Sequence, residues 1–124
     1  MKLPVRPRRL RTNETMRRLV AEHSVTVDDL IEPLFVVPGS SVHEEIPSMP
    51  GVFHQSVDSV VEDAKKAAAL GIPAVLLFGL PPSKDEAASW LDRADGPVQK
   101  AIDGIKRACP GLLVAADLCA CEYT

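Results

Sequence analysis

The sequence has no apolar run approaching the roughly 20 residues that a membrane-spanning helix needs. Behind Met1 the chain is basic and proline-containing, so the apolar centre of a secretion signal is missing too. Cysteine is scarce: three residues, Cys109, Cys119 and Cys121, do not make a disulfide framework. Together these absences point to a reducing compartment, the cytoplasm, and away from a membrane. A net charge of -3 gives no general footprint for nucleic acid. The one local excess is Arg6, Arg8, Arg9 and Arg11, followed by Arg17 and Arg18. Neither G-x-G-x-x-G nor G-x-x-x-x-G-K-[ST] occurs, which removes the main support for a nucleotide-binding reading.

What is present is the pattern of one modest α/β unit, 124 residues long. Residues 1–11 form a basic arm with Pro4 and Pro7 and no apolar face of its own. Its arginines suit a solvated tail, an anion site or a subunit contact. Thr12 or Asn13 can cap a helix running to about His23, with Met16, Leu19 and Val20 at helical spacing. Residues 30–37 read as a buried strand closed by Pro38-Gly39, and 38–55 as a long loop rich in Pro, Ser and Gly.

Ser56 is a candidate N-cap for a helix over 57–70 whose apolar face is Val57, Val60, Val61, Ala64 and Ala68. Gly71 ends it as a C′ glycine. A second strand is predicted over 73–79, a polar loop over 81–96, and a helix over 97–109 that opens on Pro97. Its apolar face includes Cys109, a core position. The third strand is predicted over 112–118. Continuous apolar strands alternating with helices suit a parallel sheet covered on both faces, with right-handed crossovers. Such a βαβαβ unit can open a doubly wound sheet or form the first three βα units of an (α/β)8 barrel. The domain boundary is expected near residue 28: arm and helix over 1–28, partial barrel over 29–124.

Sites in parallel α/β folds gather at the C-terminal ends of strands. There the chain places Asp117, Cys119 and Cys121. If that segment stays extended, positions 117, 119 and 121 share a face, and two thiolates can reach one soft metal ion. A zinc site needs three or four protein ligands, and only two are visible here. The bland alternative makes the cysteines small buried hydrophobes and Asp117 a turn residue. His23, His43 and His54 have no metal-ligand spacing with one another. Lys65, Lys66, Lys100 and Lys106 fall on predicted helices, with Lys2 in the arm and Lys84 in a loop, so no lysine stands at a strand end to form a Schiff base.

Several stretches, taken together, carry a resemblance. They are Arg6-Pro7-Arg8-Arg9-Leu10-Arg11, Asp29-Leu30-Ile31-Glu32-Pro33-Leu34-Phe35-Val36, Ile46-Pro47-Ser48-Met49-Pro50-Gly51-Val52, Gly71-Ile72-Pro73-Ala74-Val75, Leu77-Phe78-Gly79 and Asp117-Leu118-Cys119-Ala120-Cys121-Glu122-Tyr123-Thr124. In order and spacing the chain resembles the porphobilinogen synthase (δ-aminolevulinic acid dehydratase) family over nearly its whole length. The resemblance implies an (α/β)8 barrel enzyme, a hydro-lyase that condenses two 5-aminolevulinate molecules to porphobilinogen in tetrapyrrole and haem synthesis. It implies a homo-octamer held through the N-terminal arm, with Arg9 and Arg11 as subunit contacts.

The resemblance assigns Cys119 and Cys121 as two of three cysteine ligands to a catalytic zinc, the third lying beyond Thr124. It assigns Asp117 as a catalytic residue near the substrate amino group, and leaves magnesium open as a further metal of the full-length enzyme. The two Schiff-base lysines of the family lie in its second half, so these residues correspond to an N-terminal portion, expected to be inactive alone. Two other readings stand beside this one: a non-catalytic half-barrel interaction module, and a small metal-binding protein built on the two thiols.

Overall fold

The structure, a computed structural model, describes residues 8–124; the features read at Lys2, Pro4, Arg6 and Pro7 lie outside the described residues. The chain enters through a 3-10 turn, Arg9–Arg11, and a short helix α1, Glu14–Leu19. Asn13 caps α1 by accepting the Met16 N–H at 2.8 Å. This helix is shorter than the predicted span to His23, and its apolar residues are not buried: Leu19 is 78% exposed. Six residues without a surface to pack on gain little from propensity alone. A second 3-10 turn, Val27–Asp29, carries a capping box in which the Asp29 carboxylate accepts the Thr26 N–H at 2.8 Å.

Five strands follow: β1 Ile31–Val36, β2 His43–Glu45, β3 Phe53–Gln55, β4 Ala74–Gly79 and β5 Leu113–Ala116. Helix α2, Val57–Ala69, precedes β4, and α3, Pro97–Ala108, precedes β5. The sheet order is β2-β3-β1-β4-β5. Strands β1, β4 and β5 are parallel neighbours, as the βαβαβ reading requires. Among the described residues no helix is long and apolar enough to cross a membrane.

The segment 38–55 corrects the sequence reading. Instead of a plain loop it holds an antiparallel pair, β2 with β3, and β3 adds a parallel edge to β1. The turn between them is the Pro- and Gly-containing stretch 46–52, closed by the Ile46 N–H on the Val52 carbonyl at 2.8 Å. Gly51 there has φ +83°, a conformation other residues adopt only with strain. Strands of three residues, one of them wholly exposed, leave no alternating apolar signal to read.

The core lies between the sheet and the two helices. Val36, Val75 and Leu77 from the strands meet Val60, Ala64, Ala101 and Ile105 from the helices, all essentially buried. Helix α2 ends as predicted at Gly71. The Ile72 N–H bonds the Ala67 carbonyl and the Gly71 N–H the Ala68 carbonyl, each at 3.0 Å, the paired bonds of a Schellman motif. Ser56 does stand at the N-cap position, but its hydroxyl does not cap the helix. It accepts the Val42 N–H at 2.8 Å and donates to Asp58 at 2.6 Å, tying the edge hairpin to α2.

The other face of the sheet has no helix on it. Ile31 is 59% and Leu113 66% exposed, and β5 is largely open. The expectation of two covered faces therefore holds only on the helix side. In a closed barrel the open face is the one that turns inward.

Candidate functional site

Strand alternation decides what reaches the open face. Leu34 and Val36 of β1 point into the helix layer, so Phe35 between them points the other way. The register then builds a row. His54 lies opposite Phe35, and Phe35 opposite Phe78. Asp117 follows one step past the Leu77–Ala116 pair, its N–H donating to the Leu77 carbonyl at 3.0 Å. The Phe35 and Phe78 rings stack 5.1 Å apart, and His54 meets Phe35 edge-on at 6.4 Å. Asp117 thus stands at the C-terminal end of the sheet, on the open face, at the end of an aromatic floor.

Beyond Asp117 the chain does not stay extended. Strand β5 ends at Ala116, short of the predicted 118, and Ala120–Glu122 form a 3-10 turn. The reasoning that put 117, 119 and 121 on one face of an extended segment is corrected by this turn. Cys119 stands at the start of this turn and Cys121 within it. The Cys119 side chain, as hydrogen-bond partner and then as charge, pushes the Cys121 thiol up from its ordinary range, and slight burial adds to this. Cys119 is half-buried and Cys121 exposed, so neither is the core residue of the bland reading. Cys109, by contrast, packs at the edge of the helix-side core as expected.

Two thiolates at C-x-C spacing would fill two corners of a tetrahedral thiolate site. Among the described residues, no three His, Cys, Asp or Glu side chains are grouped to hold a metal ion. His43 packs on Phe53 at 4.0 Å and His54 belongs to the aromatic row, so neither approaches the thiols as a ligand. Arg9 and Arg11 are exposed on the entering turn.

The sequence reading singled out neither Glu122 nor Lys84 for this end of the sheet, and both belong to it. Burial raises the Glu122 carboxyl, the Asp117 charge raises it further, and the Gly79 N–H and the Lys84 charge pull it back in part. Lys84 Nζ also reaches the Cys121 carbonyl at 3.4 Å. Adjacency to the two cysteines was the only available signal for Glu122; for Lys84, 37 residues away, there was none. A separate cavity of about 170 Å³ opens at the first turns of α2 and α3, lined by Val37, Pro38, Trp90 and Lys100 among others. It includes none of Asp117, Cys119 or Cys121.

These features define a parallel α/β barrel segment whose candidate site is at the strand C-termini. A family model for delta-aminolevulinic acid dehydratase matches residues 4–124. The chain belongs to the delta-aminolevulinic acid dehydratase family. It is 51% identical over 120 residues to delta-aminolevulinic acid dehydratase of Synechocystis sp., covering 97% of this chain and 37% of that protein. It is 53% identical over 119 residues to the enzyme of the same name from Synechococcus elongatus, covering 96% and 36%. A crystal structure of the Toxoplasma gondii ME49 dehydratase (porphobilinogen synthase), in complex with its reaction product porphobilinogen, superposes with a TM-score of 0.81. It is 34% identical and covers 98% of this chain and 35% of its own. The chain thus spans a little over a third of the length of these relatives, and the partial-barrel reading of the fold stands.

Proposed function

We propose that this chain contributes the N-terminal βα units of a porphobilinogen synthase, with Asp117, Cys119 and Cys121 as its share of the active site. The observation that carries the proposal is that Asp117, Cys119 and Cys121 all lie on the short segment leaving the C-terminal end of β5. In a barrel enzyme, reacting groups come from the ends of several strands, and this chain furnishes one such end. The substrate of the reading is 5-aminolevulinate, two molecules of which condense with loss of water.

Asp117 is suited to hold the ammonium group of a substrate and to accept its proton when the amine must act as a nucleophile. The stacked Phe35 and Phe78 rings give the apolar floor along which a short carbon chain can lie, excluding water from the carboxylate's neighbourhood. Cys119 and Cys121 would hold a zinc ion with a third thiolate from outside these residues; when bound it supplies Lewis acidity toward a substrate oxygen or nitrogen. Magnesium remains a further metal of the full-length reading. In this reading covalent activation of the carbonyl comes from two lysines of the barrel's second half and not from Lys84, whose Nζ donates to the Cys121 carbonyl at 3.4 Å.

The reading includes a homo-oligomer, an octamer, assembled through the arm that contains Arg9 and Arg11. It also includes a cytoplasmic location, where thiols stay reduced. The test is a graft. This chain replaces the matching segment of a full-length relative that carries a cysteine soon after that segment, and porphobilinogen formation from 5-aminolevulinate is assayed. Activity in the graft, lost by at least about a hundredfold with Asp117→Asn, is the expected result. A folded graft without activity, or one indifferent to Asp117→Asn, would overturn the proposal.

A further inference from the structure

Tyr123, two residues past the second thiol, is 4% exposed although it stands near the end of the described chain. Its ring is seated against Gly79, the last residue of β4. A Cβ at position 79 would stand 2.5 Å from the Tyr123 hydroxyl oxygen and closer still to Val98 of α3, so glycine leaves the space the ring occupies. Gly79 has no positive φ that would call for glycine, and close approach is its only visible requirement. Two further bonds hold the same segment to the 81–96 loop. The Asp85 N–H donates to the Tyr123 carbonyl at 3.1 Å, and Lys84 Nζ donates to the Cys121 carbonyl at 3.4 Å. The Tyr123 N–H closes the 3-10 turn on the Ala120 carbonyl at 2.9 Å. The turn that carries the thiols is therefore pinned at its far end by a buried ring and at its outer side by a loop.

We infer that Tyr123, seated in the slot left by Gly79 and held by the hydrogen bonds to the Lys84–Asp85 loop, is a positioning residue that pre-sets Cys119 and Cys121 as a chelating pair for a soft thiophilic divalent cation. The inference rests on the thiol-pair reading above and extends it to residues that touch no metal. Without the anchor, the C-x-C would be a flexible dithiol, and closing it on an ion would cost the ordering that the fold has already supplied.

The test is a Cd2+ titration of the 124-residue chain, followed by thiolate-to-metal charge-transfer absorption, with the free peptide 117–124 as the unanchored reference. The intact chain is expected to bind about tenfold more tightly than the peptide. Tyr123→Phe, which keeps the ring, should stay within about twofold of the parent, whereas Tyr123→Ala and Gly79→Ala should fall to the peptide value. A Tyr123→Ala chain with parental affinity and unchanged circular dichroism overturns the inference, as does Tyr123→Phe falling as far as Tyr123→Ala. Should Tyr123→Ala unfold the chain, the exposed Lys84→Ala variant decides: about two- to threefold weaker binding supports the clamp, and unchanged binding overturns it. Cd2+ reports thiol geometry whatever metal the enzyme uses, so failure of the zinc reading would appear in the grafted enzyme and leave these differences intact.

Discussion

The rings of Phe35 and Phe78 stack 5.1 Å apart on the sheet face turned away from α2 and α3. Both are half-buried, whereas Ile105 on the other face is fully buried. Truncating Ile105 to Ala should cost about 2–5 kcal/mol, through lost transfer energy and the cavity left behind. Phe78→Ala should cost less, about 1–2 kcal/mol, because its ring still meets solvent and loses mainly the stacking partner. Urea unfolding of the two variants checks the order. Equal costs would mean that the open face is covered in solution, as by a second copy.

Gly104, in the middle of α3, faces α2 across a close helix contact. A Cβ there would stand 2.8 Å from Val61 Cγ2. Alanine gains about 1 kcal/mol of helix propensity over glycine, but overpacking a fixed contact costs about 1–3 kcal/mol. Gly104→Ala is therefore expected to be net destabilising, with a lowered melting temperature. A raised melting temperature would show that the helices can part without cost.

Asp63 links α2 to the edge hairpin, accepting from the buried Gln55 amide and pairing with Lys66 at 2.6 Å. Burial alone would raise its carboxyl, but the Lys66 and Gln55 hydrogen bonds and the Lys66 and His43 charges bring it below the ordinary carboxylate value. A depressed folded pKa gives stability that is present above the unfolded value of about 3.9 and is lost as pH falls through the folded one. Asp63→Asn should accordingly lower stability at neutral pH and flatten its decline below about pH 4. Thermal melts from pH 2 to 7 test this; an unchanged acid limb would remove Asp63 from the account.

Incubated alone with 5-aminolevulinate and zinc, the 124-residue chain is expected to form no porphobilinogen. The proposed reading places both Schiff-base lysines in the barrel's second half, and the thiols complete no ligand shell among the described residues. Product clearly above a heat-inactivated control would contradict this.

The helix-side fold was legible because its signals are local and strong. The apolar faces of α2 and α3, the glycine at 71 and the proline at 97 each fix an element through propensity or capping. The edge hairpin was not legible: His43, Glu44 and Glu45 are all exposed, and their pairing follows from the turn at 46–52 rather than from any apolar period. Helix α1 starts at the predicted Asn13 cap but stops at Leu19, short of His23, because periodicity promised a face that the described residues do not cover. At the candidate site, the placing of Asp117 and the cysteines just past the end of β5 was legible from the apolar run that precedes them. The 3-10 turn that carries the thiols was not, since what holds it includes Tyr123 lying against a glycine 44 positions earlier.

The most direct measurement of the central claim is zinc content and porphobilinogen formation in the grafted full-length enzyme, with Cys119→Ala and Cys121→Ala made singly and together. Each single substitution should sharply weaken zinc binding and remove activity in step with it, because the remaining ligands no longer fix a tetrahedral site. Stoichiometric zinc and full activity in the double variant would make the C-x-C a packing element and contradict the assignment.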